Sequence, residues 1–501
     1  MGDEYLQELC EKMVSKNPEN YNYICSHTSP DRHSSISDLE FLDATTLYSQ
    51  EVFINFHESF YIKEIDRQKS EEYQECLIYF LQAYDRIDPL GLSVRKKTDF
   101  FWNLTSFFEV YFDTRKDIDS VIFCNVPHMP WDILLFFVAK KIGLKTVFMR
   151  KTGLGGYIFL DEDFRPGKTN FSFFHSSKKS IKDSEYLASL NMSQLRELNF
   201  TKNQIGGAWK RESVSLKEKI KNLIKKIFPG DFLTTLRILK DGLPIMKDNS
   251  IKSSKQNSII AGSNNINFRK YFKLHLTFTK NLKELRNFYQ KISISKIPKR
   301  KFIYVSLHLQ PERSTLPEGG HYNNQSLMIA ALSKAIPKDW LIIVKEHPKQ
   351  FLYDLRNFNA RDKSFYKLIN DLENVKFIKE DFSQSILIKE SSIVATVSGS
   401  AAWEALLDLK PSLLFSEAWH SYCDSSPFIK TNKNLAEIII ELSKKTKQEV
   451  EKDVLKFIRN YSSFILKGAL NLNHLKMFFK EEEKDEVLNN LSSAFLEKLK
   501  K

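Results

Sequence analysis

This chain offers little cysteine chemistry and no membrane span. Its five cysteines, Cys10, Cys25, Cys76, Cys124 and Cys423, are odd in number and form no C-x-x-C pair. That argues against a disulfide framework or a zinc cluster and suits a reducing compartment. No apolar run approaches the ~18 residues that a spanning helix needs. The opening stretch MGDEYLQELCEKM is acidic and lacks the apolar core of a signal peptide, so a cytoplasmic protein is expected. No DNA- or RNA-binding motif is present, and nucleic acid is not an expected partner. The glycine turn Lys151-Thr152-Gly153-Leu154-Gly155-Gly156 is not followed by Gly-Lys-Ser/Thr, so it is not a Walker loop. No clustered His/Cys/Asp set calls for a metal, and no cofactor is expected.

What is present is a globular composition, 42% hydrophobic over 501 residues, enough for two domains or more. The net charge of +13 is concentrated in one segment. Residues 201–300 hold 23 Lys/Arg against 6 Asp/Glu, a balance of +17, so the rest of the chain is slightly acidic. An anionic partner should therefore meet that segment. Within it, Leu216–Ile227 reads as a basic amphipathic helix. It can pack on the protein, or residues 211–230 can rest on an anionic membrane surface at the inner face of the cytoplasmic membrane.

The hydrophobic pattern predicts an α/β fold with two Rossmann-like units: 1–165, then a basic helical and flexible insert at 166–295, a second α/β unit at 296–445, and C-terminal helices at 446–501. Strands are expected at Tyr21–Ser26 and Glu51–Asn55, and helices at Glu71–Tyr84 and Lys97–Tyr111. The clearest early unit is βαβ: strand Ser120–Cys124, helix Trp131–Ile142, Gly143 as its C′ residue, strand Lys145–Met149. Residues 176–192 are mostly polar and break this rhythm. It resumes with strands at Lys301–Leu307, Trp340–Lys345, Val375–Ile378, Ile393–Val397 and Leu413–Phe415.

Candidate site residues fall on loops after strands, the edge where ligands of open α/β sheets bind. In the first unit, His128 and Asp132 stand one turn apart at a helix start. Asp132 either complements the helix dipole or acts as a general base. Asp161 and Asp163, after strand Tyr157–Leu160, form either a turn or a second carboxylate candidate. In the second unit three loops should converge. One runs from Gln310 through Glu312 to Gly320. One is Lys345-Glu346-His347-Pro348, in which His347 can donate to a phosphate oxygen, Lys345 adds charge and Pro348 pins the backbone. The third is Ser398-Gly399-Ser400, whose hydroxyls and following helix N-terminus favour an anion. It is otherwise an ordinary turn with Ser400 as N-cap. Glu404, one turn further, can take a sugar or ribose hydroxyl.

QPERSTLPEGG, WLIIVKEHP and SGSAAWEALLDLKPSLLF together resemble the capsule polysaccharide biosynthesis family, which includes Kdo transferases. The His-Pro pair is similar to that of GT-B bacterial sialyltransferases, which use CMP-activated sugars. The resemblance covers residues 300–420 and, more weakly, 118–165. It implies a GT-B-like fold, two Rossmann-like domains facing a cleft, and an inverting, metal-independent glycosyl transfer. It implies that His347, Ser398 and Ser400 hold the donor phosphate, that Glu312 lines the site, and that Glu404 is the acid of the "EAL" helix. A nucleotide-sugar donor, CMP-linked, and a glycan or lipid-linked acceptor are the expected partners. Two departures stand out. Leu409 replaces the family's glycine, so a different turn is expected, and Asp161-Glu162-Asp163 lacks the glycine of the sialyltransferase base motif. Two other readings stay open. One is a teichoic-acid-type polyol-phosphate transferase using His128 or His321. The other is a non-catalytic glycan- or lipid-binding partner in polysaccharide export.

Overall fold

Short apolar strands alternating with amphipathic helices bury themselves best as sheets covered on both faces, and the chain is built that way. The computed structural model describes residues 4–16, 24–27, 40–43, 71–88, 92–169, 178–199, 268–352 and 360–500. The expected strand Glu51–Asn55 and the basic stretch 211–230 lie outside the described residues.

In chain order, α1 (Glu4–Lys16) precedes a short parallel pair, β1 (Ile24–His27) and β2 (Glu40–Asp43). Helices α2 (Gln74–Ile87) and α3 (Val94–Thr114) follow. The βαβ unit is then β3 (Ser120–Phe123), α4 (Pro130–Lys141) and β4 (Lys145–Lys151), with β3 and β4 parallel. Pro130 opens α4, where its missing N–H has no helical acceptor to lose. Gly143 ends the connection at φ 83°. Strand β5 (Tyr157–Asp161) returns antiparallel to β4. Next come α5 (Lys178–Ser189) and α6 (Met192–Glu197), helices where the polar composition suggested only a break. Asn191 starts α6 with a capping box to Gln194.

Helix α7 (Phe268–Ile292) leads into the second sheet. Its elements are β6 (Ser293–Ile294), β7 (Phe302–Ser306), α8 (Gln325–Ala335), β8 (Leu341–Lys345), α9 (Lys363–Asn370), β9 (Val375–Ile378), α10 (Gln384–Glu390), β10 (Ile393–Thr396), α11 (Ser400–Leu407) and β11 (Ser412–Leu414). The order across the sheet is β11-β10-β7-β8-β9-β6, parallel throughout. Counted from β7, five of these strands follow the Rossmann order 3-2-1-4-5, with β6 added at one edge. The strand order reverses between β7 and β10. At such a switch point the connections leave to opposite faces and open a crevice at the carboxyl edge.

One face of this sheet is covered by α7, α8 and α9, around Tyr289, Val305, Ile329, Val344 and Tyr366. On the other face, Tyr304, Ile343 and Val394 pack against α10 and α11 through Leu387, Ala401 and Ala405. Every residue of β8 and β10 is buried, as strands covered on both faces require.

The chain then returns to the first sheet through α12 (Leu435–Lys444), α13 (Lys447–Tyr461), β12 (Leu466–Lys467), α14 (Leu472–Phe478) and α15 (Lys484–Lys500). Strand β12 pairs antiparallel with β5, making a four-stranded sheet in the order β12-β5-β4-β3. Val487, Leu488, Leu491 and Phe495 of α15 are buried with Tyr5 and Leu9 of α1 and Val147 and Met149 of β4, and Leu499 packs partly buried against them. On the other side of this sheet an aromatic core holds Phe80, Phe100, Phe101, Phe136 and Phe148. The first unit thus has the expected α/β character, although β5 runs antiparallel to both of its neighbours.

A continuous apolar cluster joins the two units. Leu154 and Tyr157 of the first pack with Leu187 and Leu195 of α5 and α6, Trp403 and Leu406 of α11, and Val450 and Phe457 of α13. Gly153 is small because Trp403 lies against it: a Cβ there would stand 2.5 Å from Trp403 Cδ1. Among the described residues, no helix is long and apolar enough to cross a membrane.

The turn after α11 corrects an expectation. Leu409 does not change the turn; it adopts the left-handed conformation itself, at φ 58°. Lys410 N–H donates to Ala405 O at 2.8 Å and Leu409 N–H to Leu406 O at 3.0 Å, a Schellman closure. A non-glycine residue in that conformation costs roughly 1–2 kcal/mol. Partial burial of Leu409 against the seam between the units offsets it.

Candidate functional site

The switch point brings three loop starts together: His308 after β7, His347 after β8, and Ser398-Gly399-Ser400 after β10. His308 is 6% exposed and links two of them. The Ser398 N–H donates to His308 Nε2 at 3.1 Å, so Nε2 carries the lone pair and Nδ1 the proton. Nδ1 lies 3.1 Å from Ser314 Oγ, which in turn donates to Glu312 Oε2 at 3.2 Å. Thr396 Oγ1 also sits 3.0 Å from Nε2. Burial lowers the His308 pKa to about 4, so the ring is neutral near pH 7.

His347 caps the short 3-10 turn Pro348–Phe351 by accepting the Lys349 N–H at Nδ1, 3.2 Å away. That fixes the other tautomer, with the proton on Nε2 and available to an oxyanion. Burial lowers its pKa below the ordinary 6.5, although Glu346 and Glu312 oppose this. Pro348 holds the first position of the turn.

Under this loop, Glu346 is fully buried. It accepts the His347 N–H at 2.8 Å, Arg361 Nε at 3.0 Å and the Tyr366 hydroxyl at 2.8 Å. Arg361 Nη2 extends to the His308 carbonyl at 3.4 Å. One buried ion pair therefore braces both histidine loops.

The Ser398 turn differs in detail from its sequence reading. The N-cap of α11 is Gly399, not Ser400, and no side chain caps the helix. A bound anion can take that place at the first-turn N–H groups. The Ser398 hydroxyl donates to Ser314 O at 2.8 Å, so its proton holds the neighbouring loop. Ser400 is exposed and donates to Glu404 Oε1 at 3.3 Å. Glu404 also accepts from Gln384 Nε2 at 2.9 Å. Gly399 has no room for a side chain: a Cβ would lie 2.8 Å from Thr396 Oγ1 and 3.2 Å from His308 Nε2. Gly399→Ala should therefore destabilise the protein by about 1–3 kcal/mol, the range for overpacking. A urea midpoint unchanged from wild type would refute this.

Gln310 and Lys345 make their own contacts rather than hydrogen-bonding the histidines. Gln310 is buried and exchanges hydrogen bonds with Gln350, its N–H to Oε1 at 2.7 Å and its carbonyl from Nε2 at 3.0 Å. It shapes the loop. Lys345 is 6% exposed and lies on the α10–α11 side of the sheet, where Asp381, Glu380 and Glu404 act on it electrostatically. Burial lowers its pKa. Glu312 is exposed.

The first-unit candidates meet this edge through the loop 310–320. Arg313 Nη1 bonds Asn125 Oδ1. Arg86 of α2 donates to the Leu316 carbonyl at 3.2 Å and the His128 carbonyl at 2.9 Å. His128 and Asp132 are thus carried beside the 310–320 loop. His128 Nδ1 lies 2.7 Å from the Val126 carbonyl, to which it donates, leaving Nε2 as an acceptor. Burial first, then Arg86 and Arg313, lower its pKa to about 3. Asp132 reaches back to the Met129 N–H at 3.4 Å and complements the start of α4. Burial nevertheless raises its pKa to about 6, against the pull of its backbone donors and Arg86.

Asp161 and Asp163 are not arranged in the same way. Asp161 is fully buried; its Oδ2 accepts Arg150 at 2.8 Å and its Oδ1 the Glu162 N–H at 2.8 Å. Arg150 continues to Glu318 at 2.7 Å, and Glu318 to Arg313 at 3.1 Å, a charge chain across the two units. Burial would raise Glu318, but Arg313 and Arg150 outweigh it and hold it below the ordinary carboxylate range. Asp163 binds Arg165 through both oxygens, with Nη2 2.6 Å from Oδ2. His321 is exposed, tilted against Tyr322.

His308, Glu346, Arg361 and Arg86 are the residues that sequence reasoning missed. His308 had one available signal, its place as the second residue past β7, just before Gln310. Among the described residues, no group of three or more His, Cys, Asp or Glu is arranged to hold a metal ion.

No protein-family model matches the chain, and no characterised protein matches it in sequence. Among solved structures it is similar to Thermosulfurimonas dismutans KpsC, beta Kdo 2,4 transferase, at 12% identity over 75% of this chain and 88% of that one, with a TM-score of 0.29. The beta Kdo 2,7 transferase of the same KpsC matches at 13% identity over 45% of this chain, TM-score 0.23, and the match spans 63% of that structure. The UDP-GlcNAc 2-epimerase of Methanocaldococcus jannaschii matches at 11% identity over 71% and 81% of the two chains, TM-score 0.24. Overlaps this loose speak to neither substrate nor chemistry.

Proposed function

We propose that the protein is a GT-B-type glycosyltransferase of surface polysaccharide synthesis that uses a CMP-linked sugar. The observation that carries this reading is the switch-point edge. There a neutral His347 with its proton on Nε2 stands two strands along the sheet edge from the uncapped N-terminus of α11, with His308 on the strand between them. Both suit the phosphate of a nucleotide sugar, and the resemblance of residues 300–420 to the capsule polysaccharide family supports that ligand. In this reading Glu404 binds a ribose or sugar hydroxyl. The acceptor, a glycan or lipid-linked glycan, enters from the His128–Asp132 side. Asp132 takes the proton of the attacking hydroxyl; that oxygen bonds to the anomeric carbon as the bond to the phosphate oxygen breaks. His347 Nε2–H and the first-turn N–H groups of α11 then stabilise the leaving phosphate. Asp161 and Asp163 are left to structure, since arginines occupy their oxygens.

Titration calorimetry with CMP, CDP, UDP and GDP tests the donor site. CMP is expected to bind, and His347→Ala to weaken it about 10- to 100-fold, the worth of one hydrogen bond to a charged group. Binding of none of the four would refute the reading. The polyol-phosphate transferase alternative keeps one specific observation in its favour: His128 is neutral, with Nε2 unengaged beside the 310–320 loop. CDP-glycerol turnover in place of CMP-sugar turnover would select it.

A further inference from the structure

We infer that His308 is a positioning residue that sets the phosphate-holding turn after β10, an inference that rests on the donor-site reading above. Its ring stands at the switch point between β7 and β10. It accepts the Ser398 N–H through Nε2 and donates through Nδ1 to Ser314. No other side chain described here touches both the 310–320 loop and the Ser398 turn through opposite edges of one rigid ring.

The two bonds fix different things. The Nε2 bond consumes the Ser398 N–H. It thereby orients the following peptide, so that Gly399, Ser400 and Ala401 enter α11 with their N–H groups in sequence. The Nδ1 bond holds Ser314, whose carbonyl accepts the Ser398 hydroxyl at 2.8 Å, closing a ring of contacts around the turn. The glycine at 399 fits this account, since a Cβ there would press on both Thr396 and His308. Arg361 holds the His308 carbonyl from below, so the residue is fixed at backbone and ring. Its neutrality near pH 7, enforced by burial, is needed for Nε2 to accept.

His308 acts through Ser398 and touches no substrate in this scheme, so the test reads the turn as well as the ligand. Hydrogen exchange of the backbone amides at 397–401 is measured without ligand in wild type, His308→Ala and His308→Gln. CMP affinity is measured in the same three proteins. Gln can place an acceptor oxygen near the position of Nε2 but cannot reproduce the Nδ1 bond. His308→Ala is expected to speed exchange at the turn about tenfold and weaken CMP about tenfold, as loss of one buried hydrogen bond implies. His308→Gln should recover to within about threefold of wild type on both. Unchanged exchange in His308→Ala, or a Gln variant no better than Ala, overturns the inference. If His308→Ala does not fold, Ser314→Ala decides, because it frees the ring by removing its Nδ1 acceptor. Exchange at Ser398 about threefold faster, the share that the missing Nδ1 bond also leaves unrecovered in His308→Gln, then supports the inference, and wild-type exchange overturns it. A wild-type protein that binds no nucleotide would defeat the donor-site reading, while the exchange arm still judges His308.

Discussion

Asp132→Asn is expected to reduce sugar transfer by about 10²- to 10⁴-fold, the usual worth of a positioned general base, with CMP affinity unchanged. The argument is one of elimination by geometry followed by charge. Three carboxylates of the first unit, Asp132, Asp161 and Asp163, are the candidates for the base. Asp161 is closed in by Arg150 and its own turn, and Asp163 is clasped by Arg165. Asp132 accepts hydrogen bonds from backbone N–H groups, with Arg86 acting on it electrostatically, and burial nevertheless brings its pKa up to about 6. A carboxylate at that value is a far better base than one near the ordinary 3.8, and is still ionised at pH 7. The rate should therefore climb with pH to about 6 and level off above it. His128 cannot produce that limb, because it titrates at about 3. Asp132→Asn should abolish the limb together with the rate, and a limb that persists in the variant would show the base to be elsewhere. The same shift has a stability consequence. The folded carboxyl holds its proton more tightly than the unfolded one, so its contribution is greatest below 3.8 and is lost as pH rises towards about 6.

Much of the second sheet was legible in the sequence because its strands are buried on both faces and so appear as unbroken apolar runs. Val375–Ile378 and Ile393–Thr396 fall where their β-branched residues put them. The order of those strands was not legible. It depends on which helix crosses which face, and only the order reveals that β7 and β10 flank the crevice. His347 could be read because Pro348 marks a break after a strand. His308 could not be weighed by sequence alone, since its importance comes from Ser398, ninety positions away, and Ser314. The acidic cluster after β5 shows the opposite error. Three acids at a strand end look like chemistry, yet Arg150 and Arg165, both close in sequence, neutralise two of them. The polar stretch around 178–189 gave no apolar period strong enough to mark a helix, yet α5 is held by Leu187 at the seam. Leu409 shows local preference losing to context: glycine would be the easier residue, but the helix closure is kept and leucine adopts its conformation.

Glu346→Ala should destabilise the protein by about 3–5 kcal/mol, because it leaves a buried guanidinium without its counter-charge. Glu346 is 0% exposed, and the side chain of Arg361 is 4% exposed. Water cannot replace the lost partner without opening the core around Tyr289, Tyr366 and Phe377. The magnitude follows from asymmetry. Taking both charges out of water costs most of what their attraction returns, so the intact pair adds little net stability, but half of it is costly. Replacing both partners by apolar residues, Glu346→Leu with Arg361→Met, should then cost much less than Glu346→Ala alone. A double-mutant cycle in urea measures this directly, and additive single effects would sink the argument. The comparison also separates stability from function. The apolar pair still lacks the acceptor for the His347 N–H and the donor to the His308 carbonyl, so it should fold yet bind CMP less tightly than wild type. Wild-type affinity in that double variant would mean that the histidine loops hold their positions without the brace. The buried pair would then serve neither stability nor the site.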